Sequence, residues 1–173
     1  KIIKMKRILV LFFVVFSVGA LRAQQLPQIT QYMNNNYVIN PAVAGMYDYY
    51  QVNTSIRNQW AGINEGPRTS VISIYGKHND HVGLGGMVYN DDEHATSRIG
   101  GHVSYAHHFS LSGDIKIALA LSAGFLQYKI DYNRTTYPHP NDPSLTGVVA
   151  EAIPDATFGI NTYAKNWYVG LAI

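Results

Sequence analysis

The chain has 173 residues, no cysteine and 13 tyrosines, and only 14% of its side chains are charged, against roughly 25% in ordinary soluble domains. One domain is the expectation at this length, and a disulfide framework, a lipid-anchoring cysteine and a cysteine-ligated metal site are excluded. The formal net charge of +2 is local: Lys1, Lys4, Lys6, Arg7 and Arg22 precede residue 24, and the remainder carries eight basic against 11 acidic side chains, which excludes the basic face of a nucleic-acid binder.

Residues 1–23 read as a cleaved secretory signal peptide. Lys4, Lys6 and Arg7 surround Met5, the expected true start; an apolar run follows from Ile8 to Phe16, then a small-residue stretch ending at Ala23. The cut is expected after Ala23, with Ala20 as the second site. An anchor helix would need roughly 20 apolar residues, about twice this run.

Residues 24–46 form an irregular segment with Pro27, the Asn34-Asn35-Asn36 run and Asn40-Pro41. Asn40 precedes a proline, so it should be extended or in a turn. Gly45 allows a turn into the first strand. The segment is expected to pack inside a barrel mouth or lumen, where Gln28, Gln31 and the asparagines meet polar partners; the competing reading is a disordered periplasmic tail.

From residue 47 to 173 the period becomes two. In 50–60 one face carries Tyr50, Val52, Thr54, Ile56, Asn58 and Trp60, and the other Gln51, Asn53, Ser55, Arg57 and Gln59. Further strands are expected at 68–76, 82–89, 98–109, 115–129, 155–164 and 167–173. The clearest is 115–129, with Ile115, Ile117, Leu119, Leu121, Ala123 and Phe125 opposite Lys116, Ala118, Ala120, Ser122 and Gly124. Several are 9–15 residues long, whereas soluble strands run about five or six and a tilted membrane strand needs roughly 9–11. Aromatic residues (Tyr49, Tyr50, Trp60, Tyr89, Phe109, Tyr128, Tyr163, Trp167) collect near strand ends, where interface girdles would sit. Connections 77–81, 110–114 and 165–166 are short and are assigned to the periplasm; 61–67, 90–97 and 130–154 are longer and are assigned to the outside.

The fold class that follows is all-β: an antiparallel transmembrane outer-membrane β-barrel. Seven strands are an odd number and bacterial barrels have even ones, so the chain is expected to be the front part of a larger barrel. A secreted β-sandwich adhesin is the competing fold, since its strands also alternate.

Candidate sites are few. Asp91-Asp92-Glu93-His94 offers oxygen ligands to a cation but lacks the spacing of a calcium loop; a solvated outer loop is the plainer reading. His107 and His108 should point to opposite faces, while His102 and His108 share one and line the lumen. Arg57 with Gln59 and Asn53 suggests a lumen network or an ordinary hydrogen-bond ladder. No catalytic, cofactor-binding or phosphate-binding motif is present, so no enzyme activity and no cofactor are expected. Residues 130–154 are the partner-binding candidate, with Tyr132, Tyr137, Pro138 and His139, because long connections of this kind carry function.

Several motifs in order resemble the PorP/SprF family of type IX secretion system membrane proteins. Gln31-Tyr32-Met33 and then Asn40-Pro41-Ala42-Val43-Ala44-Gly45 are similar to its opening. Arg57-Asn58-Gln59-Trp60-Ala61-Gly62, followed by Gly66-Pro67-Arg68-Thr69, resembles its next element, with the proline one place early. Gly83-Leu84-Gly85 with Asn90-Asp91, Leu121 to Tyr128, Pro154-Asp155 with Phe158-Gly159, and Trp167 to Leu171 resemble later ones. The resemblance spans residues 24–173, and the family's later strands are missing. It implies an outer-membrane component that assists export, retention or anchoring of surface proteins, including gliding-motility adhesins. The partners it implies are the secretion machinery, the C-terminal domains of secreted cargo and the lipid bilayer. A diffusion channel or transporter is the alternative function.

Overall fold

The structure, a computed structural model, describes residues 32–62, 66–134 and 147–173. The signal peptide assigned to 1–23, and Gln28 and Gln31, lie outside the described residues. Three short 3₁₀ turns, Tyr32–Asn34, Asn36–Val38 and Pro41–Val43, precede seven strands: β1 (Gln51–Asn58), β2 (Arg68–Asn79), β3 (Val82–Glu93), β4 (Thr96–Ser112), β5 (Ile115–Asp131), β6 (Val148–Ala164) and β7 (Trp167–Ala172). They form one antiparallel sheet in chain order, β1 to β7.

The sheet is inside-out for a soluble protein. Along β4, Val103 is 69% exposed and its neighbour Ser104 only 6%; along β5, Leu121 is 61% exposed and Ser122 4%. Val52, Ile56, Ile72, Ile74, Val88, Phe125 and Phe158 share the exposed face, while Ser73, Asp91, His102, His108 and Asn161 are buried. A β-sandwich buries its apolar face against a second sheet; among the described residues nothing covers the apolar face. This pattern overturns the sandwich and fits strands whose apolar side is wetted by lipid. β4, β5 and β6 have 17 residues each, longer than a bilayer crossing needs.

The sheet curls around the segment that precedes it. Asn36 donates to the Tyr168 hydroxyl of β7, and its neighbour Tyr37 stacks on Tyr75 of β2 with ring centroids 4.6 Å apart. In a flat sheet β2 and β7 would lie about 24 Å apart, five spacings of roughly 4.8 Å. Adjacent residues can touch both only if the sheet bends into a half-barrel. The core lies inside that bend: Tyr37, Ala42, Val43 and Ala44 pack on Tyr75, Ala106, Ala118, Ala120 and Tyr163.

Three sequence expectations are corrected. The connection expected at 90–97 is a two-residue turn, His94-Ala95, with His94 at φ 56°. Asn90 and Asp91 belong to β3, paired with Ile99 and Arg98. A polar run reads as a loop only if strands must be apolar, and a strand facing a polar interior need not be. The connection expected at 130–154 shrinks to 132–147, because β6 starts at Val148 and Pro154 sits within it, paired with Phe125. Tyr89 and Tyr163, expected in a girdle, are each 7% exposed on the inner face, whereas Tyr49, Tyr50, Trp60, Phe109, Tyr128 and Trp167 are exposed.

Candidate functional site

The concave face is organised around residues 35–46. Asn40 has φ −139° and ψ 111°, the extended conformation that the following proline requires. Its side-chain oxygen accepts from the Ala42 amide at 2.9 Å, capping the turn Pro41–Val43. Its Nδ2 donates to the Ile160 carbonyl at 3.0 Å and reaches the Leu171 carbonyl at 3.4 Å. One short side chain thus fixes the local turn and ties it to β6 and β7. Gly45, at φ +84°, then reverses the chain toward β1.

Further in, Asn35 Nδ2 donates to Ser73 Oγ at 2.8 Å. The Tyr37 hydroxyl lies 2.7 Å from Ser104 Oγ, which lies 3.5 Å from the Gly85 carbonyl. A carbonyl only accepts, so the donors run from Tyr37 to Ser104 to Gly85. Burial pushes the Tyr37 hydroxyl above its ordinary pKa, which keeps it a donor. His108 Nε2 is 2.8 Å from the Ala44 carbonyl, and Nδ1 is 2.8 Å from the Tyr163 hydroxyl. By the same reasoning Nε2 carries the proton and Nδ1 accepts.

Beyond this segment the inner face stays polar. Asn53, Ser73, Met87, His102, Gly124 and Asp155 form one cross-strand row. Gly124 carries no side chain, so His102 Nε2 and Asp155 Oδ2 approach to 3.5 Å across β5. Tyr89 stacks on His102, and Thr69 donates to Asp91 at 2.6 Å. The Gln59 side-chain oxygen, with its amide turned to face Arg57, accepts from that guanidinium. Asn53 donates to the Tyr75 hydroxyl at 3.4 Å. Asn35 Oδ1 and His102 Nδ1 are buried without a partner among the described residues; a polar cavity satisfies such atoms with ordered water.

The two ends of the sheet differ. At the end bearing the turns before β3, β5 and β7, Lys77 bonds Asp48 at 2.6 Å and Asp80 at 2.9 Å. These hydrogen bonds hold both carboxyls below the ordinary carboxylate range. At the other end Tyr132 begins a 3₁₀ turn, Tyr132–Arg134. Arg134 donates to the His94 carbonyl at 3.2 Å and lies 3.6 Å from Asp92 and 3.8 Å from Asp131. The base of the long connection is thereby tied to the β3–β4 turn. Tyr137, Pro138 and His139 lie outside the described residues.

The candidates singled out by sequence separate accordingly. Asn40, Pro41 and Gly45 come together on the concave face, and Arg57, Gln59, Asn90 and Asp91 fall near the opposite end. Trp60 is exposed with φ 51°. Asp91, read as a solvated loop residue, is 4% exposed and bonded to Thr69. Among the described residues no three His, Asp or Glu side chains converge as metal ligands. His102 and His108 are buried on the inner face, and His107 turns outward between Tyr105 and Phe109. Sequence reading misses Tyr37 as an anchor of the N-terminal segment, with Ser104 as its bonding partner and Tyr163 in the cluster around it. Period two puts Ser104 on the inner face but cannot say what covers it.

This arrangement has an apolar exterior, a polar concave side filled by an Asn-Pro-Ala turn, and a long connection held at one rim. The family described as type IX secretion system membrane protein PorP/SprF matches residues 21–173. The chain belongs to the PorP/SprF family. Comparison with curated proteins and with solved structures returns no match. In this chain Asn40-Pro41 and Gly45 seat the N-terminal segment, and Asp91 fixes β3 to β2 through Thr69. Among the described residues no helix is long and apolar enough to cross a membrane, which leaves crossing by the strands of the PorP/SprF half-barrel untouched.

Proposed function

We propose that this PorP/SprF protein acts in the outer membrane, without catalysing a reaction, by holding specific surface proteins as they are exported, retained or anchored. The observation that carries this reading is the family match over residues 21–173 on a sheet with a lipid-facing exterior. The partner surface is the connection 132–147 with Tyr132, Tyr137, Pro138 and His139, which the Arg134 contacts join to the β3–β4 turn. Its cargo partner is the C-terminal domain of a secreted protein, and its machine partners are other components of the same system. The motif residues Gln31, Tyr32, Asn40, Pro41, Gly45, Arg57, Gln59, Trp60, Asn90 and Asp91 serve the scaffold that presents this rim.

Deleting residues 135–146 from the full-length protein tests the reading. Surface display of cargo should fall while the deleted protein still fractionates with the outer membrane. Normal display with the deletion in place would remove the connection from the function. Steady ion conductance of the purified full-length barrel in planar bilayers, without co-purifying secretion components, would favour a diffusion channel.

A further inference from the structure

We propose that residues 35–46 are a fixed plug: the wall formed by β2 to β7 is shaped to hold this segment, which stays in place during function, so nothing passes between it and that wall. Four wall positions packed against the segment are glycine and leave no room for a side chain. A Cβ on Gly83 would occupy the position of the Ala44 carbonyl, one on Gly85 would lie 2.6 Å from the Tyr37 ring, and one on Gly170 would lie 2.6 Å from Asn40 Nδ2. A Cβ on Gly159 would collide with Asn40 Oδ1. On the segment itself, a Cβ on Gly45 would lie 2.7 Å from Gly83 Cα. The glycines come from β3, β6 and β7, which have no sequence neighbourhood in common. Their shared feature is contact with residues 37–45.

Chemistry points the same way. Departure of the segment would take the partner from Ser73 and from His108 Nε2, and one of two partners from Ser104 and from the Ile160 and Leu171 carbonyls. It would also uncover Ala106, Ala118 and Ala120, which are 0–3% exposed beneath it. A gate that opens needs a wall with a stable uncovered state. An alanine patch bared to a polar interior, beside groups that have lost their segment partners, is the opposite. The plug thus removes the interior of this wall as a conduit, and partner contacts fall to the rim connections and the outer surface. This follows from the packing alone and holds whichever cargo the protein serves.

Hydrogen exchange on the full-length wild-type protein in membranes is the direct test. The amides of Val43, Ala44 and Met46, each bonded within the segment at 3.0–3.1 Å, should exchange as slowly as those of β4 and β5. Exchange a hundredfold faster than the strands would show the segment leaving and overturn the proposal. In a functional test, Asn36→Cys with Tyr168→Cys, a pair in contact at a reagent-accessible position, is joined by a short bismaleimide; cargo export should continue at the unlinked rate. Export that stops on linking overturns the proposal, and so does failure of the two cysteines to link in the membrane.

Discussion

His108 and Ala44 are 64 residues apart in the chain, yet His108 Nε2 donates to the Ala44 carbonyl at 2.8 Å. Its other nitrogen faces Tyr163 on β6, so one imidazole joins the plug, β4 and β6. His108→Leu leaves a buried carbonyl and a buried hydroxyl unpaired, and the expected loss is about 1–3 kcal/mol. His108→Gln offers a donor and an acceptor and should recover part of it. The denaturant midpoint of the full-length protein, read by heat-modifiable gel mobility, measures both. Equal midpoints for Leu and wild type would contradict the assigned contact.

Asn40 separates capping from cross-strand bonding. Asn40→Asp keeps the oxygen that accepts from Ala42 but replaces the donor facing Ile160 and Leu171 with a second acceptor. A capping role alone would leave Asp as good as Asn, since the two cap about equally well. Here Asp should destabilise at least as much as Ala, by more than about 1 kcal/mol. A neutral Asp variant in the same denaturation assay would reduce Asn40 to a local cap.

Facing residues should respond oppositely to charge. Val103→Arg puts a guanidinium on the lipid side and should cost about 2–4 kcal/mol if it lies near the bilayer midplane. Ser55→Arg places the same group on the half-buried inner face of β1 and should cost less than half as much. Folding yield into lipid vesicles compares them directly. Equal penalties would mean that the exposed face does not meet lipid.

The exposed Lys77, Asp48 and Asp80 contacts predict a pH dependence with a definite sign. Hydrogen bonding to Lys77 lowers the Asp48 pKa in the folded state. Its contribution is therefore full at neutral pH, begins to fall as pH drops through the ordinary carboxylate range, and is gone once pH has passed below the lowered value. Asp48→Asn should sit slightly below wild type at pH 7 and coincide with it in strong acid. A difference that grows on acidification would reverse the assignment.

Much of the barrel wall was legible because lipid and a polar interior impose one rule on every strand. Ile117, Leu119 and Leu121 alternate with Ala118, Ala120 and Ser122, and this period gave β5 the correct inside and outside. The same rule was misapplied at Asn90-Asp91, where a hydrophilic run was read as a loop. Asp91 takes a hydrogen bond from Thr69 across β2, and only strand pairing reveals that partner. The expected connection runs to Pro154, yet β6 begins at Val148 and passes through that proline.

The sequence by itself determined which side chains lie on the apolar outer face, because alternation is a local property of an extended chain. It also determined the bends at Asn40 and Gly45, since a following proline and a left-handed φ are local constraints. Only the tertiary structure decided what fills the concave side. Tyr37 meets Tyr75 and Ser104, and Asn40 meets β6 and β7, through curvature of the whole sheet; no local pattern in residues 35–46 encodes a contact 120 residues away.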